Sequence, residues 1–214
     1  MGEFTFKHAV MTAGKSRDLA RVHYTYRQKG EQVLVFMPST DTRSGSGIVK
    51  ARSGEEISAY AVVPGELKKT FLTCLEGLEQ LYPDSGLSCI LMDEVQFFTR
   101  EDIFAIKELA CINRGIPVIA YGLKSDFMNE MFPGSAAALV VAENIQEIET
   151  ICAFCNDKAI MNMRFEDGIP VKDGAQIQIG DSEYRPVCHY HYNSSSTKIE
   201  SNNDWYKQQE PLRE

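Results

Sequence analysis

The run Ala9-Val10-Met11-Thr12-Ala13-Gly14-Lys15-Ser16 constrains the fold of this chain more than any other stretch. It follows the β-prone segment Phe4-Thr5-Phe6. It leads into residues at helical spacing, Leu19, Val22, His23 and Tyr26, with Gly30 as the stop. A turn between strand and helix aims backbone N–H groups and the positive helix end at an anion, above all at phosphate. In such a loop Gly14 admits close backbone approach, Lys15 reaches the outer phosphates and the Ser16 hydroxyl holds Mg²⁺. The usual pattern G-x-x-x-x-G-K-[ST] opens on glycine, whereas this chain has Ala9. On these residues alone, a chance Gly-Lys-Ser in an ordinary strand–turn–helix stays open.

The next segments extend the pattern. Val33-Leu34-Val35-Phe36-Met37 is a continuous apolar run ended by Pro38, as in a strand covered on both faces, so strand, helix and strand predict a parallel βαβ unit. Residues 39–54 are polar and carry Asp41, Arg43, Lys50 and Arg52. They read either as a solvated loop or as a lid that lays an arginine over phosphates. Leu67, Phe71, Leu75, Leu78 and Leu81 mark one face of a helix over 66–81. The strand Cys89-Ile90-Leu91-Met92 then runs straight into Asp93-Glu94.

Two carboxylates at the carboxyl end of a parallel strand lie where such sheets bind ligands. There Asp93 can hold Mg²⁺ and Glu94 can take a proton from an attacking hydroxyl; the alternative is that both cap the next helix. Thr99 caps a helix carrying Ile103, Ile106 and Leu109 and ending near Gly115. A strand over 117–122 precedes an aromatic, irregular segment over 123–134, whose Phe127 and Phe132 pack as core or sandwich a base. A last strand is predicted over 147–151.

Of the six cysteines, Cys74, Cys89 and Cys111 sit singly in apolar segments as buried thiols. Cys152-x-x-Cys155 and Cys188-x-x-His191 instead form two knuckles, the ligand set of a closed tetrahedral zinc site. His189 is the rival to His191, and the two-residue spacer favours His191. Between the knuckles lie a β-prone run over 160–165, turn signals at Asp167-Gly168 and Asp173-Gly174, and a second run over 176–179, which together make a small ribbon. The expected fold is therefore α/β: a P-loop NTPase-like parallel sheet with flanking helices over 1–150, a zinc ribbon over 151–192, and a polar tail over 193–214 that reads as disordered.

Composition excludes several classes. A net charge of −8 argues against a general nucleic-acid binder, which depends on basic surface. No apolar run approaches the ~20 residues of a membrane span, and the N-terminus shows no signal-peptide core, so no membrane and a cytoplasmic location are expected.

Taken together, Met11-x-Ala13-Gly14-Lys15-Ser16, Asp41-Thr42-Arg43, Asp93-Glu94-Val95-Gln96-Phe97-Phe98, Tyr121-Gly122-Leu123-Lys124-x-Asp126-Phe127, Cys152-x-x-Cys155 and Tyr184-x-x-x-Cys188-x-x-His191 closely resemble the type II, zinc-containing thymidine kinases, in their bacterial-like variant. The resemblance implies transfer of the ATP γ-phosphate to the thymidine 5′-hydroxyl. It implies that Met11, Thr12, Ala13, Gly14, Lys15, Ser16 and Arg43 bind ATP, that Ser16 and Asp93 hold Mg²⁺ and that Glu94 is the base. It implies a thymidine pocket of Met11, Gln96, Phe97, Leu123, Phe127, Phe132, Gln178, Ile179, Gly180 and Tyr184, and a structural zinc on Cys152, Cys155, Cys188 and His191. A homotetramer and feedback inhibition by dTTP come with the family. Arg17, where threonine is common, and a stretch over 179–184 one residue shorter than usual depart from its pattern.

Overall fold

A computed structural model describes residues 1–41, 47–51, 54–83, 86–176 and 183–194. The chain begins with β1 (Phe4–Ala9), α1 (Lys15–Gln28) and β2 (Gln32–Pro38). A small antiparallel pair, β3 (Ile48–Lys50) and β4 (Glu56–Ser58), leads to β5 (Tyr60–Val62) and α2 (Leu67–Leu81). Then come β6 (Leu87–Met92), a 3-10 turn (Val95–Phe97) and α3 (Arg100–Ile106), which continues into a π-helical stretch (Lys107–Ile112). The main sheet is completed by β7 (Val118–Leu123), α4 (Pro133–Val141) and β8 (Asn144–Glu147). A second sheet follows, made of β9 (Met161–Glu166), β10 (Ile169–Val171) and β11 (Glu183–Val187), and α5 (His189–Asn193) closes the described chain.

The six strands of the main sheet lie in the order β5-β2-β6-β7-β1-β8, and every pairing is parallel. Alternation along the central strands sorts side chains to two faces. Leu34, Phe36, Ile90 and Met92 point into a core shared with α2, α3 and α4. Val35, Met37, Cys89 and Leu91 point to the other face, under Leu19 and Ala20 of α1. Burial on both faces explains the continuous apolar runs. Polar contacts fasten α1 further: Asp18 accepts from Lys7 of β1 at 2.7 Å, from Tyr121 of β7 at 3.0 Å and from Arg21 at 2.7 Å.

Several elements differ from the sequence reading. The last strand of the main sheet is β8, not residues 147–151: its register against β1 matches Asn144 to Thr5 and Glu147 to His8. This edge strand is mostly exposed, so pairing with β1 rather than a buried pattern decides where it lies. Strand β3 arises inside the polar loop expected over 39–54, and β4 and β5 follow it in a stretch to which no element was assigned; Val49 and Ile57 are buried beneath α1's face of the sheet. Helix α4 escapes periodicity because it is apolar on nearly every side; Pro133 at its first position was the available signal. In the second sheet, β9 pairs with β10 and β11. Of the run expected over 176–179, Gln176 is outside any strand and 177–179 lie outside the described residues.

Thr99 caps α3 as expected, but its partner does more. The Asp102 carboxylate, 3% exposed, accepts from Thr99 N at 3.1 Å, Gly65 N at 2.7 Å and Leu67 N at 3.0 Å, so one carboxylate ties down the starts of both α2 and α3. Asp102→Ala leaves these buried donors without an acceptor, and a loss of about 3 kcal/mol of stability is expected, read as a lowered denaturant midpoint. A shift no larger than that of an exposed cap would show that water replaces the carboxylate.

Candidate active site

The residues singled out in the sequence converge because the sheet is parallel. The ends of β1, β2, β6 and β7 open on one edge, and their loops carry residues 10–14, 39–41, 93–94 and 124–132. In open α/β sheets that edge is the ligand-binding one.

After Ala9, buried as the last residue of β1, the chain turns through Thr12 (φ 64) and Gly14 (φ 94) into α1. Asp18 N donates to Gly14 O at 3.0 Å, so the first helical turn closes directly on the loop. Lys15 opens the helix and is 8% exposed, while Ser16 beside it is half-buried. A left-handed Gly14 followed by a buried lysine at a helix start is an arrangement that can take a phosphate.

Facing it, Asp93 and Glu94 leave β6 together and are both buried. Asp93 N donates to Phe36 O at 2.8 Å, and Asp93 Oδ1 accepts from Glu94 N at 2.9 Å. Burial raises the Asp93 pKa, and the adjacent Glu94 charge adds to the rise, while the Lys15 ammonium opposes it. A raised carboxyl beside a lysine and a second carboxylate is a place where positive charge is wanted, which suits Mg²⁺ brought in with a polyphosphate.

Glu94 sits in the left-handed region at φ 46, ψ 46, a conformation that costs a non-glycine residue about 1–3 kcal/mol unless its surroundings impose it. Here they do. A Cβ on Gly134 of α4 would come within 2.6 Å of Phe98 O, and one on Gly122 of β7 within 2.8 Å of Gln96 Oε1. The turn is thus pressed against two residues that have no side chain. Gln96 completes the clamp, donating to Glu94 Oε2 and accepting from Leu123 N at 3.0 Å. That places Gln96 on the carboxylate and on the start of the loop after β7.

The expected thymidine residues divide into three groups. Phe97 meets Phe132 edge-on at 5.8 Å, and Leu123 N donates to Gln96, the neighbour of Phe97, at 3.0 Å. Phe127, 1% exposed, carries the Arg164 guanidinium over its ring at 4.6 Å and meets Tyr184 edge-on at 6.3 Å. Gln178, Ile179 and Gly180 lie outside the described residues, as does Arg43, which was expected at the ATP phosphates.

In the second sheet, the ligand atoms of Cys152, Cys155, Cys188 and His191 all lie within 4.8 Å of one another. Cys155 Sγ is 3.7 Å from Cys188 Sγ, and His191 Nδ1 is 3.6 Å from Cys152 Sγ and 3.3 Å from Cys188 Sγ. A tetrahedron with Zn–S of about 2.3 Å and Zn–N of about 2.0 Å has edges of this size. Phe154 N also donates to Cys152 Sγ at 3.4 Å, the sort of backbone contact that supports a thiolate ligand. These four residues can hold a metal ion. His189, by contrast, pairs with Asn193 across one turn of α5 and is not in the cluster.

Sequence reasoning missed Asn162 and Arg164. They alternate with Met163 and Phe165, which fill the small core beside the metal ligands. The signal available was two polar residues at i and i+2 in an otherwise apolar run. Asn162 reaches Met11 N at 2.7 Å and Ser125 O at 3.2 Å. A third link follows from Tyr192, whose hydroxyl donates to Phe127 O at 2.8 Å.

A family model described as Thymidine kinase matches residues 2–192. Among curated relatives, a thymidine kinase of Lactiplantibacillus plantarum is 37% identical over 193 residues, 90% of this chain and 96% of that one. One from Streptococcus pyogenes serotype M3 is 38% identical over 193 residues, with 90% and 97% covered. One from Lactobacillus acidophilus is 35% identical with 90% and 96% covered. Among solved structures, the Pif1 helicase of Candida albicans aligns at TM-score 0.40 and 13% identity over 69% of this chain and 36% of that one, a likeness too distant to bear on function.

Proposed function

The chain belongs to the thymidine kinase family, and from that premise we propose that it transfers the γ-phosphoryl group of ATP to the 5′-hydroxyl of thymidine. The observation that carries the reading is the meeting of Lys15, at the start of α1, with the buried pair Asp93 and Glu94, at the end of β6. Met11, Thr12, Ala13 and Gly14 present backbone to the ATP phosphates, and Lys15 neutralises their outer charge. Arg43 adds a second cation. Ser16 and Asp93 would hold Mg²⁺, which when bound would supply positive charge to the polyphosphate.

The thymidine 5′-oxygen forms the new bond to the γ-phosphorus as the bond to the β–γ bridging oxygen breaks and ADP leaves. Glu94 accepts the hydroxyl proton. Gln96 orients Glu94, while Phe97, Leu123, Phe127 and Phe132 supply apolar walls for the thymine. Tyr184 and the backbone of Gln178, Ile179 and Gly180 read its polar edge.

We divide the chain into a phosphoryl-transfer domain over 1–150, a ribbon over 151–192 with zinc on its four ligands, and a tail over 193–214. The family reading also carries a homotetramer and inhibition by dTTP, open to light scattering and an inhibition curve. A cytoplasmic location is part of the same proposal; among the described residues no helix is long and apolar enough to cross a membrane.

The test is a coupled assay with ATP and a panel of nucleosides. An apolar wall discriminates one methyl by only ~1–3 kcal/mol, so deoxyuridine is expected to be a substrate, less efficient than thymidine. Deoxycytidine puts an amino donor where an acceptor is wanted, and its kcat/KM is expected to be far lower. Equal kcat/KM for thymidine and deoxycytidine would refute this account of the base pocket.

A further inference from the structure

We infer that Asn162 is a positioning residue for the phosphate loop, through which the metal-stapled ribbon supports the ATP site as well as the nucleoside site. This rests on the reading of residues 9–16 as the phosphate loop. Asn162 is on β9, 3% exposed, with both ends of its amide engaged. Its Oδ1 accepts from Met11 N at 2.7 Å and its Nδ2 donates to Ser125 O at 3.2 Å. The first bond joins residues 151 apart in sequence. The second fixes Asn162 to the loop after β7, in which Ser125 is itself buried and bridged to Met131.

The loop needs such support. Thr12, next to Met11, lies at φ 64, and a β-branched residue there is strained. A residue in that region stays put only when its surroundings over-determine it. On the far side, Gly14 and the first turn of α1 hold the chain. On the near side, the restraint on Met11 comes from Asn162. A phosphate loop acts through the fixed direction of its N–H groups, so freeing Met11 N degrades anion binding rather than the apolar pocket.

The ribbon's own core, Met163, Phe165, Val187 and Tyr192, lies on the other side of β9 and does not involve Asn162. Substitution of Asn162 therefore leaves that core and the metal ligands in place. The rest of the chain provides a second fastening between ribbon and main sheet, since Tyr192 still bonds Phe127 O at 2.8 Å.

The test compares Asn162→Ala with Asn162→Leu, which keeps the branched outline and the number of side-chain heavy atoms but makes neither bond. Equilibrium binding of ATP and of thymidine, each alone, is measured beside melting temperature and metal content. Freeing the partly buried Met11 N–H from its acceptor costs about as much as a ten-fold change in an equilibrium constant. Both variants are expected to weaken ATP binding about ten-fold, with a smaller loss of thymidine affinity because Met11 and the loop after β7 also belong to that pocket, a melting temperature lower by a few degrees, and metal content close to wild type. Recovery of ATP affinity in Asn162→Leu would mean that packing alone matters, and equal loss of both affinities, or loss of metal, would mean a role in ribbon folding; each overturns the inference. Lys15→Met is the control for its premise. If Lys15→Met leaves ATP binding intact, the phosphate-loop reading fails; if it weakens ATP binding and the Asn162 variants do not, only the coupling fails.

Discussion

Glu94→Gln is expected to lower kcat by ~10²–10⁴-fold, the span of a positioned general base, with ATP and thymidine affinities almost unchanged. The substitution isolates proton transfer because glutamine has the shape of glutamate. The residue is 8% exposed and held at φ 46, ψ 46 by a turn packed against Gly122 and Gly134, and an isosteric side chain gives that turn no reason to relax. The amide can still pair with Gln96, but it cannot accept a proton. Steady-state kinetics with separate binding titrations decide the matter: near-normal kcat would remove Glu94 from the chemistry, while a raised KM at constant kcat would make it a binding group.

Cys155→Ser is expected to release the metal and unfold the ribbon while the main sheet persists. Binding of structural zinc to such a ligand set is worth about 10–16 kcal/mol at neutral pH and is coupled to folding. The ribbon has little else to rely on: a three-stranded sheet and a core of a few residues, of which Cys152 and Cys188 are themselves ligands. Metal analysis of the wild type should give about one zinc per chain. Hydrogen exchange of the variant should show loss of protection across β9 and β11, with the strands of the main sheet still protected. An active wild-type protein purified without any transition metal, or a variant with an intact ribbon, would end the structural-zinc reading.

Much of the candidate site was legible in the sequence because its signals are local. The proposed phosphate loop is eight residues between a strand and a helix, and the four residues that can hold a metal sit in two knuckles whose spacing alone separates His191 from His189. Asp93-Glu94 was placed at the edge of the sheet because an apolar strand immediately precedes it. Amphipathic α2 and the Thr99 cap belong to the same class: each is a pattern within a single helix.

Other features are decided by groups far apart in sequence. The order β5-β2-β6-β7-β1-β8 depends on which strands pair, and β8, an exposed edge, owes its position to its register with β1. The left-handed Glu94 is fixed by glycines on β7 and α4, and Asn162 meets Met11 only after the ribbon docks. A sequence pattern records which face of an element wants burial. It does not record which distant backbone group will take a buried amide or leave room for a turn, because that depends on the relative placement of whole elements, and only packing sets it.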